Sequence, residues 1–505
     1  MRWPALLEGG GAIRLSCWPR ASRLLGTGHG LGRTRVTARR IGFIFGILAF
    51  AITLIVPPPE GMPQAAWLVA GLVVWMAAWW MTEAIPLTAT ALLPFLVLPF
   101  AGVLSANETA SAYYSPILFL ILGGAFIALA IERTGLHRRL AVWILNTIGT
   151  GGGQARLLLA FMVAAAILSM VISNTSTTLI MMPMAIAVLA GGGLADDDTT
   201  GLAGALPMGI AFAASIGGLG TIVGSPTNAI AVGLLDSTIG VKISFAQWSL
   251  YGLPIVIVGV PVAAYIISRV QNVRAHPFDL SAARDAIATD RQWTTPERRL
   301  VPVIAITFLL WMTQPLTEPL LPEGSLTDGT IAVAAGLMLF ILPDGTGRTL
   351  LVWKEADRAP WGVIMMFGGG LALAAGMGAS GLATWLGDAL LPLSAVPLLL
   401  VALALVGMVI LITEFASNVA TASAIIPVVA SLVAVLGADP ILLAMPAALA
   451  ASWGFMLPAG TGPNAIAWAT GRIALPRMVG AGLVLDVIGV FLIVAIVWIV
   501  ALLAG

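Results

Sequence analysis

Two polar stretches in an otherwise apolar chain carry the side chains best suited to binding chemistry. The stretch "SMVISNTSTTLIMMP" (169–183) contains six consecutive small polar residues from Ser173 to Thr178. Aligned without a gap, "TEFASNVATASAIIP" (413–427) pairs Thr413 with Ser169 and Asn418 with Asn174. Ser, Thr and Asn supply neutral oxygens for a cation and donors for an anion. The duplication favours a binding site over ordinary interhelical packing, the alternative for a single copy.

A second duplicated pair follows each polar stretch at a similar distance. "GSPTNAIA" (224–231) aligns with "GTGPNAIA" (460–467). Glycine and proline interrupt helices and free backbone carbonyls, which are good ligands for a hard cation inside a cavity. The residues predicted to form these breaks are Ser225, Pro226, Thr227, Asn228, Gly462, Pro463 and Asn464.

The composition places these motifs in a membrane. Hydrophobic residues make up 59% of the 505 residues and charged residues only 9%, which is typical of an integral membrane protein. Long apolar segments interrupted by Gly and Pro favour an all-α polytopic fold over a barrel. The spans show no Ser/His, Cys/His or metal-ligand constellation, and no sizeable soluble domain is evident. Both observations argue against a membrane-embedded enzyme or a sensor.

Hydropathy predicts eleven spans and two segments that do not cross. The spans are 41–56, 65–81, 86–103, 115–132, 204–235, 249–268, 300–315, 329–343, 361–377, 443–471 and 478–503. Segments 157–190 and 397–436 each have a polar break at the centre and are predicted to be re-entrant hairpins.

The distribution of basic residues supports this topology. With a cytoplasmic N-terminus, 23 of the 24 Lys and Arg residues lie on the inner face, and only Lys242 lies outside. Counting either hairpin as one crossing would scatter them over both faces. The C-terminus is then outside, and the localisation expected is the plasma membrane, the inner membrane of a bacterium.

The duplicated motifs divide the chain into an inverted repeat, because the two hairpins would enter from opposite faces. The predicted organisation is an Arg-rich tail (1–40), a first helix and outer loop (41–63), repeat 1 (64–272), a cytoplasmic connector (273–297) and repeat 2 (298–503). Inverted repeats with broken helices are typical of secondary transporters. The tail is expected to be disordered, with a targeting peptide or lipid-binding arm as alternatives.

The polar tips and the helix breaks contain no basic residue. No Lys or Arg lies in any tip or break, so an anion buried there would lose hydration without a basic partner. A helix beginning after each tip offers a partial positive charge and free amides, and bound Na⁺ would offset the remaining cost. Among acidic residues in apolar surroundings, Glu414 adjoins the second tip. A proton-linked role and a structural role as partner of backbone amides both stay open for it.

Together these motifs resemble one transporter family. The paired Ser-Asn motifs, the two breaks, "TEAIPL" (82–87), "YYSPILFLILGGAFIALAIERTGLHRRL" (113–140) and "WGVIMMFGGGLALA" (361–374) resemble the divalent anion:sodium symporter (DASS) family of dicarboxylate, citrate and sulfate transporters. The resemblance covers about residues 41–503. It implies a homodimer in which a fixed scaffold supports an elevator-type transport domain.

The resemblance also implies roles for residues at matching positions. The first sodium site would use Ser169, Ser173, Asn174 and Gly224, and the second would use Thr413, Ala416, Asn418, Gly460 and Thr461. Substrate would lie between Asn174 and Thr175 of one tip and Asn418 and Val419 of the other. Val419 departs from the Thr common in the family, which removes a hydroxyl from the substrate pocket, and Thr227 and Gly462 replace prolines of the usual breaks.

The function expected is Na⁺-coupled symport of a divalent anion, with a C4-dicarboxylate such as succinate, malate or fumarate as substrate and membrane lipid as surroundings. A dicarboxylate exchanger, or a sulfate or citrate carrier of the same fold, is the alternative within transport. Na⁺ is the only cofactor expected, and no nucleic acid partner is expected.

Overall fold

The structure is a computed structural model that describes residues 29–148, 153–195, 198–276, 278–279, 292–458 and 460–504. It is all-helical in this part of the chain, apart from one isolated bridge between Pro343 and Thr349. The fold class predicted from composition is therefore confirmed. The predictions for most of the tail (1–28) and of the connector (277 and 280–291) lie outside the described residues.

The first half of the chain contains twelve helices within the described residues. They are α1 (His29–Ile55), α2 (Gln64–Thr82), α3 (Leu87–Thr90), α4 (Leu93–Phe100), α5 (Ala106–Ala112), α6 (Pro116–Thr134), α7 (Leu136–Ile148), α8 (Gly153–Ser169), α9 (Asn174–Gly191), α10 (Gly201–Gly218), α11 (Pro226–Ile239) and α12 (Phe245–Val270).

The second half contains ten helices within the described residues. They are α13 (Thr295–Thr317), α14 (Asp328–Ile341), α15 (Trp353–Ala356), α16 (Trp361–Ser380), α17 (Leu382–Leu390), α18 (Leu398–Phe415), α19 (Asn418–Leu436), α20 (Pro440–Ala450), α21 (Gly462–Ala469) and α22 (Leu475–Ala504).

The order of elements from α6 to α12 recurs from α16 to α22. In each series a long helix ends at a glycine in the left-handed conformation, Gly135 (φ 81°) or Gly381 (φ 82°), which a side chain would strain. A helix then runs in a new direction, followed by a helical hairpin, a broken helix and a long final helix. The repeat boundaries themselves remain a prediction.

Each hairpin turns at its polar stretch. The arms α8 and α9 are joined by residues 170–173, and α18 and α19 are joined by Ala416 and Ser417 alone. The helix α10 is buried along its whole length and packs on α8, α9 and α12. A membrane helix this enclosed has protein rather than lipid on every side, so it lies at the centre of the helices packed around the first hairpin.

Eleven helices in the described part of the chain are long and apolar enough to cross a membrane, which supports an integral, multi-pass protein. They are not the same eleven segments as the predicted spans, because hairpin arms such as α9 and α19 have the same length and hydropathy as true spans. Three predicted spans are each divided between two helices: 86–103 into α3 and α4, 204–235 into α10 and α11, and 443–471 into α20 and α21.

An ion-pair cluster holds the loop after α14 against the end of α6. Arg133 bonds to Asp344 and donates to the Leu350 carbonyl at 2.6 Å, while Arg348 bonds to Glu355 at 2.6 Å. Burial raises the pKa of Asp344, but hydrogen bonds from Thr346 and Arg133 outweigh it and hold that pKa well below its usual range.

Glycines set how closely the helices approach, and two of them make a matched test. A Cβ at Gly217 would lie 2.3 Å from the Ala166 carbonyl oxygen, whereas a Cβ at Gly378 would meet nothing within 4 Å. We expect Gly217→Ala to separate α10 from α8 and lower the melting temperature by several degrees. Gly378→Ala should leave it unchanged or raise it, since Ala favours helix by about 1 kcal/mol. Size-exclusion chromatography after heating measures both, and equal stability of the two variants would contradict the packing.

Candidate functional site

The first hairpin tip and the first break form a cluster of oxygen atoms. The Ser169 hydroxyl, fully buried, lies 2.6 Å from the side-chain oxygen of Asn174. The carbonyl oxygens of Ala214 and Gly224 lie 3.2 Å from the same atom of the Asn174 amide. Four oxygens therefore converge on one point beside the tip.

Oxygen atoms this close need either a donor or a cation between them. Turning the Asn174 amide over places its nitrogen in this position, within donating distance of Ser169, Ala214 and Gly224, and its two protons can serve two of these acceptors at a time. With a cation present, the orientation that presents the oxygen is the favourable one. The amide can thus satisfy its neighbours in the empty site and serve as a ligand in the loaded site.

The second tip repeats this arrangement. Thr413 is fully buried, and its hydroxyl lies 2.9 Å from the side-chain oxygen of Asn418 and 2.8 Å from the Ala451 carbonyl oxygen. A hydroxyl has one proton, so it cannot donate fully to both acceptors. Like the first, the second cluster therefore has more oxygen atoms than donors.

Each break is held in shape by an asparagine and is tied to its hairpin by one further group. Asn228 donates to the carbonyls of Gly218 (2.7 Å) and Thr221 (2.8 Å), and the Thr221 hydroxyl in turn donates to the Met170 carbonyl. In the second break Asn464 donates to the Leu457 carbonyl at 3.2 Å. The side-chain oxygens of both asparagines lack a donor among the described residues. Both breaks are thus built from carbonyls with spare acceptor capacity.

Glu414 supplies the further tie in the second break. Its carboxylate accepts from the amides of Met456 (2.9 Å) and Leu457 (3.0 Å), and it is 1% exposed. Of the two roles left open by the sequence, the structure supports the structural one, a partner for backbone amides.

Four helices begin at these tips and breaks, each with a hydroxyl cap. Ser173 accepts from the Ser176 amide at 3.2 Å at the start of α9, and Ser417 accepts from the Ala420 amide at 3.2 Å at the start of α19. Ser225 caps α11, and Thr461 caps α21. The N-terminal end of a helix carries a partial positive charge, so these starts favour an anion.

The helix starts belong to different repeats but lie together. A Cβ at Gly462, the first residue of α21, would lie 2.5 Å from the Thr175 hydroxyl of the first tip. The helix α21 packs on α9 and α10, and α11 packs on α19. Each hairpin therefore closes on the broken helix of the other repeat.

A cavity of about 180 Å³ reaches the first tip and the first break. Ser173, Ser176, Ser225 and Pro226 line one side, and apolar residues of α6 line the other. Glu132 and Arg358, joined by an ion pair of 2.7 Å, lie at its edge. Arg358 is the basic side chain in this lining, and it is 61% exposed and already paired.

The predicted site residues fall into three groups. Ser169, Asn174, Gly224, Thr413 and Asn418 belong to the oxygen clusters, and Gly460 lies beside them, since its Cβ would be 3.2 Å from the Glu414 carbonyl oxygen. Ser173 and Thr461 act as helix caps, and Ser173 and Thr175 are exposed at the tip. Buried Ala416 ends α18 in an extended conformation, and Val419 packs against apolar residues of both hydrophobic cores.

Sequence reasoning missed three groups. The carbonyls of Ala214 and Ala451 could not have been found, because the direction of a backbone carbonyl leaves no trace in residue type. Asp486 could have been found: it is a lone carboxylic acid in the apolar helix α22, and it is 4% exposed.

Duplicated hairpins and broken helices, with oxygen-rich sites where they meet inside an apolar protein, define a secondary transporter. Comparison with known proteins agrees. Residues 37–504 match the family described as the sodium:sulfate symporter transmembrane region. The chain belongs to this family, the one that its motifs resemble.

Curated relatives cover nearly the whole chain. The chain is 38% identical over 474 residues to the sodium-dependent dicarboxylate transporter SdcS of Staphylococcus saprophyticus, which covers 91% of this chain and 90% of the relative. It is 36% identical over 476 residues to SdcS of Staphylococcus aureus, covering 92% and 91%. Among solved structures, the YdaH transporter of Alcanivorax borkumensis matches with a TM-score of 0.53 at 16% identity, covering 86% of this chain and 98% of that one. This last similarity concerns the fold alone.

The cavity can be tested with cysteines, because Cys17 is the only native one. In a Cys17→Ala background, we expect Ser176→Cys to react with a water-soluble thiol reagent, since Ser176 lines the cavity. Thr178→Cys, on the same helix but fully buried, should not react. Mass spectrometry of the purified protein measures the modified fraction, and equal labelling of both positions would contradict the assignment.

Proposed function

We propose that this protein is a secondary active transporter that couples Na⁺ entry to the uptake of a divalent anion, a C4-dicarboxylate such as succinate, malate or fumarate. The observation that carries the proposal is the pair of matched oxygen clusters, each beside helix starts and free of basic side chains. The names of the relatives support both the coupling ion and the substrate class.

Sodium is assigned to the two oxygen clusters. One ion would lie among Ser169, Asn174, the Ala214 carbonyl and Gly224, and the other among Thr413, Asn418, the Ala451 carbonyl and the turn at Gly460 and Thr461. Hydroxyl, amide and carbonyl oxygens are neutral ligands suited to a hard monovalent cation. Na⁺ is thus cargo whose binding completes the site.

The anion is assigned to the space between the tips. Asn174, Thr175 and Asn418 would donate to its carboxylates, and the helix starts of α9 and α19 would add their dipoles. Val419 offers no hydrogen bond there, and the loss of one is worth roughly 0.5–1.5 kcal/mol in affinity. A dicarboxylate with an apolar centre tolerates such a position better than sulfate does, because sulfate presents oxygens in every direction.

Transport follows from the balance of charge. If the Na⁺ ions carried exceed the two charges of the substrate, the membrane potential assists uptake by about 2.3 kcal/mol per net charge per 100 mV. Uptake without sodium would place a bare dianion among buried oxygens, which is unfavourable by several kcal/mol. Coupling is therefore electrostatic in origin.

The same proposal assigns the helices to a transport domain and a scaffold. The hairpins and broken helices, from α8 to α12 and from α18 to α22, would form a transport domain that moves against a scaffold built from α1 to α6 and α13 to α16, in a homodimer. Basic loops would face the cytoplasm, with the C-terminus outside. The cavity beside Glu132 and Arg358 would then open inward.

Replacing either tip asparagine should abolish transport. Asn174→Ala and Asn418→Ala each remove a ligand shared by an ion and the anion, so we expect uptake to fall to background with normal expression. Asn107→Ala, an exposed asparagine far from both tips in sequence, is the matched control and should retain full uptake. Normal uptake by either tip variant would refute the site.

The activity itself is tested by uptake of labelled succinate into proteoliposomes. We expect accumulation under an inward Na⁺ gradient, none when K⁺ replaces Na⁺, and stimulation by an inside-negative potential. Accumulation that ignores Na⁺ but requires dicarboxylate inside the vesicles would establish an exchanger instead.

A further inference from the structure

Asp486 is a buried carboxylic acid with no use in the site as described so far. It lies on α22 and is 4% exposed, and neither of its carboxyl oxygens accepts a hydrogen bond from the described residues. The Phe455 amide is nearby but outside hydrogen-bonding geometry. An ionised carboxylate in such a place would be strongly unfavourable.

Its neighbour is the carboxyl group of Glu414, which Asp486 faces directly. Both side chains converge on the second break. Glu414 accepts from the Met456 and Leu457 amides, and a Cβ at Gly482, one turn before Asp486, would lie 2.5 Å from the Met456 nitrogen. Two ionised carboxylates in contact and shielded from water would repel each other.

No basic side chain relieves this pair among the helices that pack on α22. The helices α18 and α20 contain no Lys or Arg, and α12 has only Arg269, in its last turn. On α22 itself, Arg477 is more than two turns away and donates to Gln271 and Thr199. The charge must therefore be reduced by a proton.

The proton can be placed by the hydrogen bonds. Both carboxyl oxygens of Glu414 already accept from backbone amides, whereas neither oxygen of Asp486 has a donor. The neutral acid is therefore Asp486, whose O–H can donate to a Glu414 oxygen. Such a charge-assisted bond is short and strong.

The first repeat shows what the pair replaces. A Cβ at Gly252 would lie 2.2 Å from the Leu219 carbonyl oxygen, just before the first break, as a Cβ at Gly482 would lie against Met456 just before the second. Gly252 on α12 therefore corresponds to Gly482 on α22. This register places Val256 opposite Asp486, and the hairpin alignment places Met170 opposite Glu414. Both carboxyl groups thus replace apolar side chains, and they occur together.

The repeat that contains the two carboxyl groups lacks the hydroxyl that connects break and hairpin in the other repeat. In repeat 1 the Thr221 hydroxyl ties the break to the Met170 carbonyl, but its counterpart in repeat 2 is Leu457, which cannot donate from its side chain. The Glu414 carboxylate makes the connection instead, through the Met456 and Leu457 amides.

We propose that Asp486 is a positioning residue for the second cation site: as a neutral acid it donates to Glu414, and Glu414 in turn holds the turn at Met456 and Leu457 beside Thr413. Asp486 does not touch the ion or the anion. The inference rests on the proposed function in that the site it positions is the second sodium site.

The transport test compares two replacements of similar size. Asp486→Asn keeps a donor toward Glu414 and should transport with the wild-type half-saturating Na⁺ concentration. Asp486→Val, which introduces the residue of repeat 1, removes the donor and should raise that concentration about tenfold or more, with a smaller change in maximal rate. Asp388→Asn, on the exposed surface of α17, is the control for the same chemical change. Loss of transport in Asp486→Asn, or wild-type Na⁺ dependence in Asp486→Val, would overturn the proposal.

Infrared spectroscopy tests the proton without any transport. The difference spectrum of the purified wild type minus Asp486→Asn at neutral pH should contain the carbonyl band of a protonated carboxylic acid, and the wild type minus Asp388→Asn should not. Absence of the band would overturn the proposal even if Asp486→Val folds poorly. If the band is present but uptake does not depend on Na⁺, the neutral state of Asp486 stands and the proposed sodium site is rejected instead.

Discussion

The site has to accept charge without a basic side chain. No Lys or Arg occurs in the hairpin tips or in the two breaks, and the one arginine at the cavity edge is exposed and paired with Glu132. The positive charge available to an anion is then that of four helix N-termini and of any cation that the clustered oxygens bind. In the mechanism that we propose, each charge makes the other tolerable, so that ion and anion bind together. The hairpins, the breaks and their duplication all serve to bring those two kinds of ligand to one place.

Duplication gives two sites, but the repeats do not build them identically. Around the first, a threonine hydroxyl donates to the Met170 carbonyl and so connects break and hairpin. Around the second, a leucine replaces the threonine, and two carboxyl groups take over. A buried acid pair with one proton is more sensitive to its surroundings than an apolar contact. The second break is therefore the half of the site in which small changes in geometry should have the larger effect on cation binding.

Much of this could be predicted from the sequence, since polar residues in an apolar run and glycine-proline breaks are local signals. Asn174, Asn418, Asn228 and Asn464 were identified in this way, and all four lie where tip and break meet. Hydropathy alone could not separate spans from hairpin arms, because both are long and apolar; the polar break at the centre of each hairpin was needed to distinguish them. It also could not show that Ala214 and Ala451 present their carbonyls to the site, or that Asp486 meets Glu414, since those contacts depend on packing between distant segments.

Equilibrium binding of labelled succinate to the purified protein tests the electrostatic account most directly, because it needs neither a membrane nor a potential. The account predicts saturable binding in Na⁺ and no measurable binding when choline or K⁺ replaces it. It also predicts that succinate raises the affinity for Na⁺ by the same factor by which Na⁺ raises the affinity for succinate. Equal succinate affinity with and without Na⁺ would contradict it.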